Sequence, residues 1–425
     1  MKKLFSLLLA CMMLFLTSCN QTPPNETMSS NPQLQERPKD SELKDTIIRN
    51  GYSNFIDLPS RILFEYTIPE EDNYIFYYSK VDGKAYIYCF DPLCDHSGEK
   101  CLANPDDETN VFEEDTNIFE FLFWCLFFIN NRFYVVTSYG QIYSMAFDGS
   151  DIKIEYGTEE KYVYGEFDRY IWSQNYLAYD KYIYIPTNAD ENEKYNVLRF
   201  NTETKEMENL TEKTGNFMNP AFFYNGEIYG RGERYQGWYK ADLDMKKMEP
   251  IEALPLSMHF FGSVFYNTAY DDPTDYKNRT PIGFQAYDMK KREATLLTYE
   301  MIGLEEDYRY SILCVDENYI YFQSNKKILL GKRKTHWGDR SVYTGGGELY
   351  RVKHDGTECT LIYDNPNFDF TSLEAVICGD KIILEGTEYA VGEDGYVAAT
   401  SSGMQIGTIG SDGTIEKFEP IELVY

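Results

Sequence analysis

The sequence predicts an all-β fold, a β-propeller of seven four-stranded blades, and three observations carry that expectation. Short runs rich in tyrosine, phenylalanine, isoleucine and valine alternate with polar turns, and no helical period of apolar residues is sustained. The runs recur in groups of four, spaced by about 50 residues, slightly more than the roughly 40–45 of WD-type blades. About 380 residues follow the N-terminal segments, long for a single packed core but ordinary for repeats closed into a ring.

Taken in order, the units open on polar turns near Asn73, Asn131, Asp180, Asn225, Gly262, Glu317 and Asp380. Each turn leads into a Tyr/Ile-rich strand, and each unit later offers a second hairpin. The fifth, from Phe260 to Leu297, is the least regular, so six or eight blades also fit. Phe147-Asp148-Gly149-Ser150, His354-Asp355-Gly356-Thr357 and Ser411-Asp412-Gly413-Thr414 echo one another. Asp-Gly permits the positive φ of a tight two-residue hairpin, so backbone geometry accounts for the echo. The run Ile118 to Ile129 carries a single charge, Glu120. It is too short to span a bilayer and reads as a buried strand.

The N-terminus, MKKLFSLLLACMMLFLTSCN, has two lysines, an apolar stretch from Leu4 to Leu16 and a small-residue exit ending at Cys19. That is a secretory signal. Leu16, Thr17, Ser18 and Cys19 resemble the lipobox of bacterial lipoproteins, where cleavage precedes the cysteine and its sulfur receives a diacylglycerol. Two acyl chains suffice for stable attachment to a membrane. Residues 1–18 are therefore expected as signal peptide and 19–45 as lipidated cysteine with a proline-containing disordered tether. Residues 46–425 form the propeller, and its location is extracytoplasmic.

The net charge of −29 argues against nucleic acid and anionic headgroups as partners. It is compatible with cations, neutral sugars or basic peptides, and solubility alone explains it. One local exception is KKILLGKRKTHWGDR, with Lys326, Lys327, Lys332, Arg333, Lys334 and Arg340 around Trp337. It reads as a solvated long hairpin, or as a grip for an anionic polymer or an acidic partner.

YCFDPLCDHSGEKC, Tyr88 to Cys101, brings together Cys89, Cys94, His96 and Cys101. Four such ligands can close tetrahedrally around one structural Zn²⁺. Outside the cytosol a local disulfide with a spare thiol competes with that reading. Neither leaves an open coordination position for hydrolysis. Cys125, Cys314, Cys359 and Cys378 lie in or beside apolar strands and are expected as buried free thiols. No Gly-x-Ser-x-Gly elbow, His-Glu-x-x-His, Walker loop or dinucleotide fingerprint occurs. His259, His336 and His354 read as surface residues, and the acidic pairs Asp271–Asp272 and Asp190–Glu191 as chance among 69 carboxylates.

The lipobox, the tyrosine-rich meanders and the stretch LYRVKHDGT resemble TolB-like propellers. More closely, the chain resembles surface lipoproteins of Gram-positive anaerobes that carry a Cys-x(4)-Cys-x-His-x(4)-Cys element in an early blade. The resemblance implies a propeller fold and a cell-surface location, brings no activity with it, and favours the metal at the cysteine cluster. The function expected is a binding or scaffold module for a protein or carbohydrate ligand, acting as a monomer, with no catalytic residue assigned. The alternative is a carbohydrate-active enzyme using a carboxylate pair in the central funnel.

Overall fold

The computed structural model describes residues 40–43, 45–48, 55–57, 60–67, 73–87, 126–130, 132–136, 141–146, 151, 153–157, 176–187, 195–233, 237–254, 259–272, 279–305, 308–336 and 338–424. The compact unit that holds them runs from Pro38 to Tyr425.

After a short strand β1 (Ile47–Ile48), seven antiparallel meanders follow in chain order. The first blade is β2 (Phe55–Asp57), β3 (Arg61–Thr67), β4 (Asn73–Ser79) and β5 (Ala85–Ile87). The second is β6 (Leu126–Ile129), β7 (Arg132–Val136), β8 (Ile142–Ala146) and β9 (Lys153–Tyr156). The third is β10 (Leu177–Tyr179), β11 (Tyr182–Pro186), β12 (Val197–Asn201) and β13 (Met207–Asn209), followed by the short helix α1 (Leu210–Thr214). The fourth is β14 (Asn219–Tyr224), β15 (Glu227–Arg231), β16 (Trp238–Ala241) and β17 (Met248–Ile251). The fifth, irregular in sequence, is a complete blade of β18 (His259–Phe261), β19 (Val264–Tyr270), β20 (Pro281–Asp288) and β21 (Glu293–Thr298). The sixth starts with β22 (Tyr310–Val315) and β23 (Tyr319–Ser324), inserts a separate hairpin of β24 (Ile328–Thr335) and β25 (Gly338–Thr344), and finishes with β26 (Glu348–Lys353) and β27 (Thr360–Asp364). The seventh has the longest strands, β28 (Phe368–Cys378), β29 (Lys381–Val391) and β30 (Val397–Ile409), then β31 (Ile415–Pro420). The chain ends by laying β32 (Leu423–Val424) parallel to β5, so the last residues latch the seventh blade to the first.

Blades hold together because each strand alternates sides and both sides of a blade meet a neighbour. Apolar clusters fill the interfaces between the second and third blades, then each successive pair through the seventh, and between the seventh and first. One position recurs: the third residue of the second strand is a buried tyrosine in five blades, Tyr134, Tyr184, Tyr229, Tyr266 and Tyr321. A ring there fills the wedge between blades, while its hydroxyl reaches a polar partner. The Tyr184 hydroxyl donates to the Leu243 carbonyl of the next blade, and Tyr266 meets His354 of the next blade at 2.7 Å. Among the described residues these five tyrosines serve packing between blades, as the alternation predicts.

The opening turns at Asp180, Asn225, Gly262, Glu317 and Asp380 join first strands to second strands. Asn225 and Gly226 both have positive φ, +50° and +75°, as a two-residue hairpin matching strand twist requires. Asn73, in contrast, begins a third strand, so the expected register of the first unit is one connection late. The Asp-Gly turns at Gly356 and Gly413 are not two-residue hairpins. Gly356 donates to the Lys353 carbonyl and Lys353 to the Thr357 carbonyl, which is a three-residue loop with Gly356 left-handed at φ +83°. The loop at Gly413 repeats this, and Asp355 and Asp412 each accept the N–H two residues on. The aspartate stabilises the turn through its carboxylate, leaving only glycine at positive φ. The Phe147–Ser150 turn lies outside the described residues.

Candidate functional site

In an up-and-down meander, the first-to-second and third-to-fourth turns share one face, here called lower. The second-to-third connections and blade-to-blade links share the opposite, upper face. On the lower face the chain arriving from Asp40 crosses the inner turns of three blades. Asp40 accepts the N–H of Asp180 at 2.8 Å, Asp45 donates its N–H to Asn225 at 3.0 Å, and Ile47 donates to the Gly262 carbonyl at 2.7 Å. β1 then pairs with the inner strand β14, burying Ile47 and Ile48 between blades.

The upper face carries the tall features. The β24–β25 hairpin and the β29–β30 hairpin are both second-to-third connections, on adjacent blades, and they lean together. Lys332 donates its N–H to the Gly395 carbonyl at 3.0 Å and bridges to Tyr396. The Tyr396 hydroxyl donates to Asp339 at 2.8 Å, while the Lys334 ammonium sits 4.8 Å from the Tyr396 ring centre. Gly331 makes this approach feasible: a Cβ there would meet the Gly395 carbonyl oxygen at 2.5 Å. The result is one two-hairpin wall, as the sequence expectation of a long hairpin required, with a neighbour it did not show.

The β24–β25 hairpin is basic on an acidic protein, with Lys332, Arg333, Lys334 and Arg340 against Asp339, while the β29–β30 tip beside it carries Glu393 and Asp394. Lys326 is engaged by Glu348 and by the Tyr308 ring. Among the described residues, Lys327, Lys332, Arg333 and Arg340 have no carboxylate partner. Arg333 and Arg340 lie directly opposite each other across the hairpin, an unfavourable pairing of like charges. Leu329 and Tyr343 are also cross-strand partners and are 58% and 54% exposed. Val391, at the end of β29, is exposed too. Trp337 lies outside the described residues.

At the root of the wall, the inner strand β28 contributes Asp369. Its carboxylate accepts the Gly345 N–H at 2.8 Å, and Thr344 donates to the Pro366 carbonyl at 3.0 Å. Burial holds the Asp369 carboxyl above the ordinary carboxylate range, and the Gly345 hydrogen bond only partly opposes that. Beside it in register stand Thr387 and then Ser402, whose hydroxyls share a hydrogen bond at 3.0 Å. Asp369 was not singled out from the sequence, where it is one of many aspartates without a motif.

The other candidates resolve as follows. Cys19, Cys89, Cys94, His96, Cys101, Cys125, Asp190 and Glu191 lie outside the described residues. Among those described there is no group of three metal-ligating side chains. Cys314, Cys359 and Cys378 are free thiols, with Cys314 buried and Cys359 pushed up to about 11 by burial. His354 is half-buried in contact between blades: its Nε2 meets the Asp316 carbonyl at 2.9 Å and its Nδ1 meets the Tyr266 hydroxyl. A carbonyl only accepts, so Nε2 carries the proton and both nitrogens are committed to structure. Asp271 closes its own loop by accepting the Thr280 N–H at 2.8 Å.

No family model matches the chain, and no curated protein matches it significantly. Solved structures do match. The β-propeller domain of the Trilobed protease from Pyrococcus furiosus is 12% identical, with a TM-score of 0.41 over 88% of this chain and 99% of that one. The tricorn protease is 11% identical, with a TM-score of 0.36 over 87% of this chain and 43% of that one. The acylaminoacyl peptidase from Pyrococcus horikoshii is 11% identical, with a TM-score of 0.40 over 90% and 54%. This chain thus spans about half, or less, of those two longer chains. The likeness is one of fold. The β-propeller itself rests on the seven blades described above.

Proposed function

We propose that the chain is a lipid-anchored, extracytoplasmic binding or scaffold module that meets its partner with the two-hairpin wall on the upper face. The observation that supports this most directly is the separation of roles between faces. The chain arrives across the lower face through Asp40, Asp45 and Ile47, while Lys327, Lys332, Arg333 and Arg340, which have no carboxylate partner among the described residues, and exposed Leu329 and Tyr343 stand on the other. The ligand is a protein or carbohydrate, and the module works as a monomer. One structural Zn²⁺, or a disulfide, closes Cys89, Cys94, His96 and Cys101 and takes no part in binding.

The test is membrane partition of the full-length chain expressed in a Gram-positive host, beside Cys19→Ser. The wild type should fractionate with membranes, be digested by protease added to intact cells, and be released by the substitution. A cytosolic, protease-protected wild type would end this reading.

One observation favours a second reading, a carbohydrate-active enzyme of the central funnel. Among the described residues, Asp369 is the carboxyl group held above its ordinary range, and a general acid needs that property. Such chemistry requires a second carboxylate within about 5–9 Å. Release of reducing ends from a polysaccharide panel, abolished by Asp369→Asn, would establish it over binding alone.

A further inference from the structure

We propose that the outer edge of β25 receives an extended acidic segment of a partner protein as an added strand. The proposal rests on reading the upper face as the contact face. Among the described residues β25 pairs with β24 alone, so along Gly338–Thr344 one row of backbone N–H and C=O groups has no strand beside it. An edge of this kind is a template for strand addition, in which main-chain bonds hold the peptide and alternate side chains select it.

The side chains indicate which peptide. Exposed edges are commonly guarded by charge. In a chain with 69 acidic and 40 basic residues, acidic guards would be the ordinary outcome. Here Arg333 faces Arg340, with Lys332 and Lys327 nearby and in no ion pair with a carboxylate among the described residues; the hairpin's one acidic side chain, Asp339, stands opposite Lys334 and accepts from the Tyr396 hydroxyl. An incoming strand with carboxylates at alternate positions would turn that repulsion into paired, charge-assisted bonds. Leu329 and Tyr343 offer an apolar surface at the root of the same hairpin, which suits a protein segment better than a bare polyanion. Docking of β24 against Gly395 and Tyr396 holds the hairpin in place before a partner arrives, which lowers the ordering cost of binding.

The experiment uses the full-length chain and fluorescein-labelled ten-residue peptides read by anisotropy. A peptide alternating glutamate with valine should bind, and one alternating lysine with valine should not. Arg333→Glu combined with Arg340→Glu should weaken the acidic peptide at least about tenfold with the thermal midpoint unchanged. The milder Arg340→Gln gives a smaller loss should the double variant fold poorly. Methylation of every second backbone nitrogen of the acidic peptide should abolish binding, because it removes main-chain donors and keeps every charge. Failure of the acidic peptide to bind, or equal binding of its methylated form, overturns the proposal. Sodium polyphosphate binding as tightly, with the same loss in the variants, replaces it with a polyanion site. None of these readouts depends on Cys19, so they stand or fall separately from membrane attachment.

Discussion

Arg199 of the third blade donates to Asp244 of the fourth at 2.8 Å while its other terminal nitrogen donates to Glu208 at 2.7 Å. The guanidinium also binds the Leu243 carbonyl and stacks 4.4 Å from the Tyr182 ring centre, with its side chain 8% exposed. A buried cation with four partners is a staple between blades. Breaking a buried pair costs about 3–5 kcal/mol, less where the carboxylates remain partly in water. Arg199→Met, which keeps the volume, should therefore lower stability by about 2–3 kcal/mol in urea denaturation. Lys213 and Arg199 hold Glu208 below the ordinary carboxylate range, and Lys246 and Arg199 do the same for Asp244. Their contribution is present above that range and lost as pH falls through their folded pKa values. The variant should show a flatter acid limb; an unchanged limb and midpoint would count against the staple.

Asp369 predicts the opposite sign. Its folded pKa lies above the unfolded one, so the native state holds the extra proton between the two values and stability falls as pH rises through that window. Asp369→Asn keeps an oxygen for the Gly345 N–H and cannot ionise. Relative to wild type it should gain stability as pH rises from 4 toward neutrality. Asp369→Ala also cannot ionise but leaves that N–H without its acceptor, and should lie about 1 kcal/mol below Asp369→Asn at every pH. Thermal midpoints across the pH series check both, and identical profiles for wild type and Asp369→Asn would remove the burial effect.

The parts legible in the sequence were those written in local geometry. A tyrosine three places after a polar turn marks the second strand in NRFYVV, DKYIYI, NGEIYG, GSVFYN and ENYIYF, because period-two alternation and positive-φ residues are local properties. The first blade was misphased since Leu58-Pro59-Ser60 replaces that polar turn. The wall was half legible. Its cations are contiguous, but the partner at Gly395 and Tyr396 is some 60 residues away and leaves only Gly331 as a local trace. Asp369 has no sequence signal, because its burial is created by Gly345 and by neighbouring strands.

Gly347 sets the angle at which the chain leaves the wall to enter β26. Its φ is +60°, and a Cβ there would sit 1.7 Å from the Asn365 carbonyl oxygen, a backbone atom that cannot swing away. Gly347→Ala should cost more than 2 kcal/mol, roughly the sum of a conformational penalty and overpacking. Gly303, at φ +76° with open space around it, isolates the conformational part. Gly303→Ala should cost about 1 kcal/mol. Equal losses in chemical denaturation would show that the Asn365 contact carries no weight.

The C-terminal latch predicts how the ring opens. Ile421 is buried among residues of the first and seventh blades, Ala85 donates to the Glu422 carbonyl at 3.0 Å, and Lys84 pairs with Glu422. Ending the chain at Pro420 removes a buried isoleucine and two strand residues, worth about 2–5 kcal/mol. Hydrogen exchange should rise first in β5, the edge left uncovered. Protection unchanged there would mean that apolar packing between these blades closes the ring without the latch.

The cysteine cluster predicts a metal content. Cys89, Cys94, His96 and Cys101 fall between Ile87, where the first blade ends, and Leu126, where the second begins, a long link for two adjacent meanders. A long link gains most from a cross-link, and a Cys₃His set satisfies zinc without an open position. Protein purified without added chelator should carry about one zinc per chain, and Cys94→Ser should carry little. Denaturation with chelator should then expose all three cluster thiols along with Cys125 and with Cys314, Cys359 and Cys378, the last three of which are free in the fold. A disulfide gives the contrary pattern: no zinc, two thiols missing until reductant is added, and insensitivity to chelator. Because sulfur ligands must be deprotonated, zinc release should begin as pH drops below neutrality and should precede global unfolding if the link is its only dependent.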